Sequence, residues 1–271
     1  MRRWSAIGVV AVGRGADRAP DRLEDPRPRL STSTRWSRQL PYALSAAAFA
    51  AYLTLSLARW HRLDSPSWDL AIFEQAVRGY ASLGAPIVDV KGPGFHQLGD
   101  HFSPLLAVLA PAYRVWPSPV TLLVAQALLL ALSVIPITRA SVRLLGAPAG
   151  ACVGVAYGLS WGIQSAVDVE FHEYALAVPL LAMAMEAFLA ERWRAAALWA
   201  LPLILVKEDL GLTVAALGLV IAWRGSKRIG GALLVIGVSS FLVVTRVVVP
   251  AFNPSGRYAY CKVAGQAGPS R

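Results

Sequence analysis

Long apolar runs, separated by short polar stretches, dominate the chain between residues 41 and 250. Seven runs are apolar enough to be considered as transmembrane helices, which need about 20 residues each. These runs are 41–58, 119–137, 146–166, 174–190, 195–206, 210–223 and 229–249. The pattern predicts an all-α, polytopic membrane protein with about seven transmembrane helices, of which the fifth and sixth are short.

Two of the apolar segments have features that affect how they pack. Gly150, Gly154 and Gly158 recur at a spacing of four, which places them on one helix face and predicts close helix contact. Segment 103–116 is also apolar, but it contains two prolines and an arginine and has only 14 residues. That length favours an interfacial or re-entrant segment over a span.

Composition and charge support the membrane class and suggest an orientation. The chain is 56% hydrophobic and 15% charged, whereas a soluble domain carries about 25% charged residues. With the N-terminus inside, the inner segments carry sixteen basic residues and the outer connections six. The positive-inside rule therefore predicts a multi-pass plasma-membrane protein with a cytoplasmic N-terminus. Because the arginines flank the apolar runs, the net charge of +10 does not indicate a nucleic-acid partner.

The same orientation divides the chain into three regions. Residues 1–40 hold nine arginines and no long apolar run, so they are predicted to be a disordered cytoplasmic tail. Residues 41–250 form the membrane domain, with a long outer connection at 59–118, and residues 251–271 form an outer tail. All four histidines and ten of the sixteen acids fall on the outer side.

The long outer connection is predicted to contain an amphipathic helix over 67–77. Leu70, Phe73 and Val77 share one helix face, and Asp69 lies in the first turn. Asp69 is a candidate catalytic carboxylate. Equally, an acid at this position can simply complement the helix dipole.

Two other outer segments carry residues that can bind a metal or share a proton. In an extended 168–173 segment, Asp168, Glu170 and His172 would point to one side. Asp100 and His101 can join a site that another loop completes. The alternative is that both segments are ordinary solvated loops.

Lys207, Glu208 and Asp209 separate the two short runs. Charges between apolar runs are costly unless they reach water or one another. Lys207 can meet an anionic group such as a phosphate at the outer surface, and Arg246, near the outer end of the last run, can meet the same anion. The alternatives are a tight turn with mutual ion pairing at 207–209 and an arginine that simply extends to the surface.

Four motifs in this order give the chain a family resemblance: WDLAIFEQA at 68–76, HFSPLL at 101–106, EFH at 170–172 and VKEDLG at 206–211. Together they resemble the DUF2079 family of predicted membrane proteins, over about residues 45–260. The layout is similar to that of GT-C glycosyltransferases, which use polyprenyl-phosphate-linked sugars. Relatives in the family run longer, and truncation of a longer chain would explain the polar ending.

The resemblance implies an enzyme at the outer membrane face. Asp69 and Glu74 would be the catalytic carboxylates, and Lys207 and Arg246 would bind the phosphate of a polyprenyl-phosphate sugar donor. The remaining candidates would assist or hold a divalent metal ion: Asp100, His101, Glu170, His172, Glu208 and Asp209. The motif at 68–76 has a single acid at Asp69, where GT-C enzymes have an adjacent acidic pair.

Two other functions remain compatible with the sequence. Transporter sites lie near the bilayer midplane among broken helices, and the short fifth and sixth runs fit that class. The near absence of charge within the apolar runs does not fit the transporter class. The third alternative is a non-catalytic membrane protein, which a truncated chain would favour.

Overall fold

Helices make up nearly all the regular structure of the computed structural model, as the apolar runs predict. The structure describes residues 35–64, 68–258 and 260, all within the unit Ser33–Arg271. An antiparallel bridge between Ile87 and His96 is the one β interaction in these ranges. The all-α fold class of the membrane protein is therefore confirmed.

The helices are numbered in chain order. They are α1 Arg35–His61, α2 Asp69–Ala81, α3 Ala110–Val115, α4 Pro119–Leu145, α5 Ala147–Gly158, α6 Trp161–Asp168, α7 Tyr174–Leu189, α8 Trp193–Ala200, α9 Leu210–Arg224, α10 Lys227–Val243 and α11 Val249–Phe252. Short 3-10 turns occupy Asp89–Lys91, Gln97–Gly99, Pro104–Leu109 and Leu201–Leu205, and a π-helical turn, Val244–Val248, joins α10 to α11.

Three helical stretches in the described ranges are long and apolar enough to cross a bilayer. They are Trp36–His61, Pro119–Leu145 and Lys227–Phe252. Helices α7 and α9 have 16 and 15 residues, so at 1.5 Å per residue they extend only about 24 and 23 Å. A hydrocarbon core is about 30 Å thick. Seven crossings therefore stay a prediction.

The first helix begins earlier than its apolar run. Helix α1 starts at Arg35, so residues 35–40 are helical, although the sequence predicts them as part of a disordered tail. Polar residues tolerate helical backbone, and Pro41 removes a single amide donor from the helix. The remaining part of that predicted tail, 1–34, lies outside the described residues.

The predicted third span is interrupted. The sequence predicts one helix over 146–166, but α5 ends at Gly158 and α6 begins at Trp161. Ser160 between them has an extended backbone, with φ −65° and ψ 149°. The hydroxyl of Tyr52 donates to the Gly158 carbonyl at 2.7 Å. This contact satisfies one of the carbonyls that a helix end leaves without an intrahelical partner.

The predicted contact face of α5 is confirmed. Gly150, Gly154 and Gly158 are all buried. A Cβ atom on Gly150 would lie 2.6 Å from the Cα of Val142, and one on Gly154 would lie 2.3 Å from the hydroxyl of Thr138. Both neighbours belong to α4, so the absence of side chains on α5 lets the two helices approach closely.

The segment that is predicted to be the long outer connection folds against the helices, as its amphipathic pattern indicates. Leu70, Phe73 and Val77 of α2 are buried in the main apolar core, so the predicted amphipathic helix is confirmed. The 103–116 segment forms a 3-10 turn followed by α3, and together they are too short to span a bilayer. These elements hold the polar residues of the first connection close to the helix ends.

Helices α9 and α10 form an antiparallel pair with glycines at the contact. A Cβ on Gly230 would lie 2.2 Å from the backbone nitrogen of Ala222 and 2.5 Å from the Gly218 carbonyl oxygen. By contrast, a Cβ on the neighbouring Gly231 would meet nothing within 4 Å. The pair therefore depends on close backbone approach on one face only.

We expect Gly230→Ala to lower the free energy of unfolding by about 1–3 kcal/mol, because the added methyl group forces the two backbones apart. Gly231→Ala is the matched control, and it should be neutral or stabilise by up to about 1 kcal/mol through helix propensity. Thermal unfolding in detergent measures both. Equal stability of the two variants would contradict the close contact.

Candidate functional site

Polar segments that are distant in sequence meet at one end of the helices. Arg59, near the end of α1, forms an ion pair with Asp168 at the end of α6. The backbone N–H of Phe102 donates to Glu208 Oε2 at 3.0 Å. Residues predicted for the outer face therefore come together in space. Which side of the membrane this end faces stays a prediction.

A buried ion pair lies at the centre of this end. Glu173, just before α7, is 0% exposed; its Oε1 lies 3.0 Å from Lys207 Nζ, and its Oε2 lies 2.8 Å from His172 Nδ1. Burial alone would raise the pKa of Glu173, but His172 and Lys207 outweigh it and hold the pKa below its usual value. The carboxylate is therefore ionised and compensated at neutral pH.

The side chain of Gln126 in α4 anchors the loop that carries His172 through hydrogen bonds. The Gln126 side-chain amide donates to the carbonyl oxygens of Ala166 and Glu170, and its oxygen accepts the backbone N–H of His172 at 2.9 Å. One buried amide thus satisfies one carbonyl in the last turn of α6 and two backbone groups of the non-helical segment that follows it. The edge of Phe73 packs on the His172 ring, with centroids 5.4 Å apart.

A second buried acid lies beside the first. Glu208 is 2% exposed, and its Oε1 lies 2.9 Å from His101 Nδ1. The hydroxyl of Tyr258 also donates to Oε1, at 3.1 Å. Burial would raise the pKa of Glu208, but hydrogen bonding and charge from His101, with help from the Phe102 N–H, lower it. Like Glu173, Glu208 is an ionised acid with dedicated partners.

The chain after α11 folds over this second acid. Asn253 Nδ2 donates to the Gly99 carbonyl at 2.7 Å. The ring of Tyr260 stacks on His101, and its hydroxyl donates to Asp100 Oδ1 at 3.0 Å. Burial, followed by the Asp100 charge, raises the pKa of Tyr260 to about 12. Asp100 also forms an ion pair with Lys91.

Glu170 lines a separate cleft, and Asp69 acts on it through its charge. The cleft has a volume of about 110 Å³, and Arg59, Asp168 and Leu70 also line it. Burial raises the pKa of Glu170 and the Asp69 charge raises it further, whereas the Leu70 N–H acts in the opposite sense. Asp69 therefore lies within electrostatic range of a carboxyl group that holds its proton more tightly than usual.

The remaining predicted site residues are Glu74, Arg246 and Asp209, and each has its own surroundings. The carboxylate of Glu74 accepts the hydroxyl of Tyr113 and lies 3.9 Å from Arg78, on α2 itself. Arg246 is exposed on the π-helical turn. Asp209 accepts the Tyr174 hydroxyl at 2.6 Å, beside Lys207.

The predicted 168–173 arrangement is therefore split. Asp168 and Glu170 line one cleft, whereas His172 points to Glu173. Among the described residues, no three histidine, cysteine, aspartate or glutamate side chains form a group that could hold a metal ion. The divalent metal stays a prediction that the observed pairing does not favour.

Several residues that build this end were not identified from the sequence as site residues. Glu173, Lys91 and Gln126 are polar groups whose partners are far away in the chain, and Tyr258 and Tyr260 belong to the ending. A signal existed for Gln126, because it is the one strongly polar residue in the 119–137 run. A buried amide in an apolar helix requires partners.

The chain is helical, and the charged side chains at one end of its helices form ion pairs with one another. This architecture defines a polytopic membrane protein. A family model described as "Predicted membrane protein (DUF2079)" matches residues 59–264. The chain belongs to that family, as its motifs indicate. No curated protein matches the chain, and no solved structure matches it. The likeness to GT-C enzymes therefore rests on the sequence layout alone.

We expect Lys207→Met to destabilise the protein by about 3–5 kcal/mol, because it leaves the buried Glu173 carboxylate with only His172 as a partner. The double variant Glu173→Gln/Lys207→Met should recover most of that loss. Chemical unfolding in detergent provides the measurement.

Lys227→Met is the matched control, because Lys227 is exposed at the start of α10. It should change stability by no more than about 0.5 kcal/mol. A Lys207→Met protein as stable as the Lys227→Met protein would show that the buried pair contributes nothing.

Proposed function

We propose that this protein is a glycosyltransferase that uses a polyprenyl-phosphate-linked sugar at the outer face of the plasma membrane, with its N-terminus in the cytoplasm. The observation that carries the proposal is a row of three adjoining cavities that share lining residues and together form a groove. The groove runs from an apolar stretch along α1 and α5 to the charged cleft that Glu170 lines.

The lower part of the groove fits a hydrocarbon chain. Its walls include Leu44, Ala48 and Val155, and its volume is about 190 Å³. Through Tyr52 and Gly158 it adjoins a larger opening of about 670 Å³. An apolar groove that is open toward lipid can accept a prenyl chain laterally, without exposing the chain to water.

The upper part of the groove is suited to a phosphate. Arg59 and Arg62 both line the larger opening, and guanidinium groups bind phosphate oxygens bidentately. The present partners of Arg59 are Asp168 and Asp64, whose side chains are each 62% exposed. Exposed ion pairs contribute little free energy, so a phosphate can replace these carboxylates.

Asp69 and Glu170 supply the base. One of these carboxylates takes the proton from an acceptor hydroxyl while the hydroxyl oxygen bonds to the anomeric carbon of the sugar. The bond from that carbon to the lipid phosphate breaks, and the phosphate leaves as an anion beside Arg59 and Arg62. The raised pKa of Glu170 makes its ionised form a stronger base.

This assignment differs from the one that the family resemblance implies for Lys207. The Lys207 ammonium is 3.0 Å from the buried Glu173 carboxylate and 4.5 Å from the centre of the Tyr174 ring. Binding a phosphate there would require separation of a buried pair, which is costly. Arg59 is therefore the better phosphate ligand in the proposal, and the role of Lys207 stays untested.

We expect Asp69→Asn and Glu170→Gln each to slow sugar transfer. Substitution of the residue that acts as the base should lower the transfer rate by at least about 100-fold. The assay is transfer of a radiolabelled sugar from its polyprenyl phosphate in proteoliposomes. Arg78→Gln is the control: it removes an exposed charge from α2 and should leave the rate of sugar transfer unchanged. Wild-type uptake of solute without any transfer would contradict the enzyme and favour a transporter.

We expect Ala51→Trp to weaken donor binding by at least about tenfold, or about 1.4 kcal/mol, because the indole would fill the groove where its two parts meet. Ala50→Trp is the control, since Ala50 is an exposed residue of the same helix that does not line the groove. Donor KM distinguishes the variants. An unchanged KM in Ala51→Trp would remove the groove from the mechanism.

A further inference from the structure

A second charged cluster lies at the opposite end of α4 and α7. Glu186 is 3% exposed; its Oε2 lies 2.6 Å from Arg139 Nη2, and its Oε1 lies 3.1 Å from Arg143 Nη2. Arg139 follows Gln126 by thirteen residues in α4, which corresponds to about 20 Å along the axis. The cluster is therefore separate from the candidate active site.

The arginines exceed the single carboxylate that they share. Arg139 and Arg143 are 35% and 48% exposed and line a cavity of about 410 Å³ between the start of α1 and the end of α4. Arg38 lines the same cavity and is exposed. The three guanidinium groups and the Glu186 carboxylate, which pairs with two of them, carry a net charge of about +2 together, so the cavity attracts an anion.

The surroundings of the cavity indicate the level of a membrane interface. Trp36, directly before the first cavity-lining residue of α1, is 82% exposed, and tryptophan is enriched at the headgroup level of bilayers. Leu144 and Leu145, directly after Arg143, are also exposed. Pro41 and Val142 add apolar wall to the cavity. A ligand there would have its anionic group on arginine and its hydrocarbon beside α4.

We propose that this cavity binds the phosphodiester headgroup of an anionic phospholipid. The arginine side chains Arg38, Arg139 and Arg143 hold the phosphate, and the Tyr42 and Ser37 side chains line the same space. Glu186 competes with the lipid for the Arg139 and Arg143 guanidinium groups. Basic cavities between transmembrane helices select anionic headgroups through these interactions.

The test measures lipid binding to the full chain, purified in a zwitterionic detergent and titrated with phosphatidylglycerol, phosphatidylcholine or inorganic phosphate. Native mass spectrometry counts bound lipid, and thermal unfolding reports stabilisation. We expect phosphatidylglycerol to bind and stabilise. Arg143→Gln and Arg38→Gln should each weaken this binding by about fivefold, which corresponds to about 1 kcal/mol per arginine.

Two further variants make the test specific. Arg194→Gln removes an exposed arginine from the same end of the molecule but outside the cavity, so it should bind phosphatidylglycerol as the wild type does. Glu186→Gln should bind it more tightly, because the competing carboxylate is gone. Arg38 takes no part in the Glu186 ion pairs, so Arg38→Gln remains informative if Arg143→Gln fails to fold.

The proposal is overturned if Arg194→Gln loses as much affinity as Arg38→Gln, since binding would then follow net charge. It is also overturned if phosphatidylcholine binds as tightly as phosphatidylglycerol. Inorganic phosphate that stabilises the protein as well as the lipid does would identify a free-anion site instead.

Discussion

Hydrocarbon excludes charge, and the pairing of the buried acids in the described part of the chain reflects that exclusion. An ionised side chain among apolar helices is costly unless it has a partner or reaches the surface. Glu173, Glu208 and Glu186 are each almost completely buried, and each contacts a cationic side chain or an imidazole. All three lie near helix ends, so the central parts of the helices are left for apolar and glycine contacts.

The degree of burial divides the ion pairs into two kinds with different consequences. The pair of Glu173 with Lys207 is shielded from water, so separating it is expensive and it fixes one loop against another. The pair of Arg59 with Asp168 is exposed and lies in a cleft. An incoming anion can exchange with Asp168 at small cost. Substrate binding is therefore expected at the exposed pair, although both pairs lie at the same end.

Local patterns predicted most of the helices, and contacts distant in sequence account for what was missed. The apolar periodicity of α2 and the glycine spacing of α5 depend on neighbouring residues, and both are confirmed. The helix interruption after Gly158 coincides with a hydrogen bond from the Tyr52 hydroxyl of α1. Glu173 is structurally important because it forms an ion pair with Lys207, which follows it by 34 residues in the sequence. Tyr260, in an ending that resembles polar filler, gains its contacts only when the chain returns to His101. Motif order grouped the candidate residues but did not predict their division into a buried cluster and a cleft.

The glycines of α5 connect helix packing to the groove. Gly150 and Gly154 make the close contact between α5 and α4, and Gly154 and Gly158 line the apolar part of the groove. Because they have no side chains, α5 can approach α4 while its backbone leaves space beside α1. The helix then ends at Gly158, where the groove widens toward Arg59 and Arg62. The tight contact on one side of α5 and the open space on the other therefore have a common origin in residues too small to fill either.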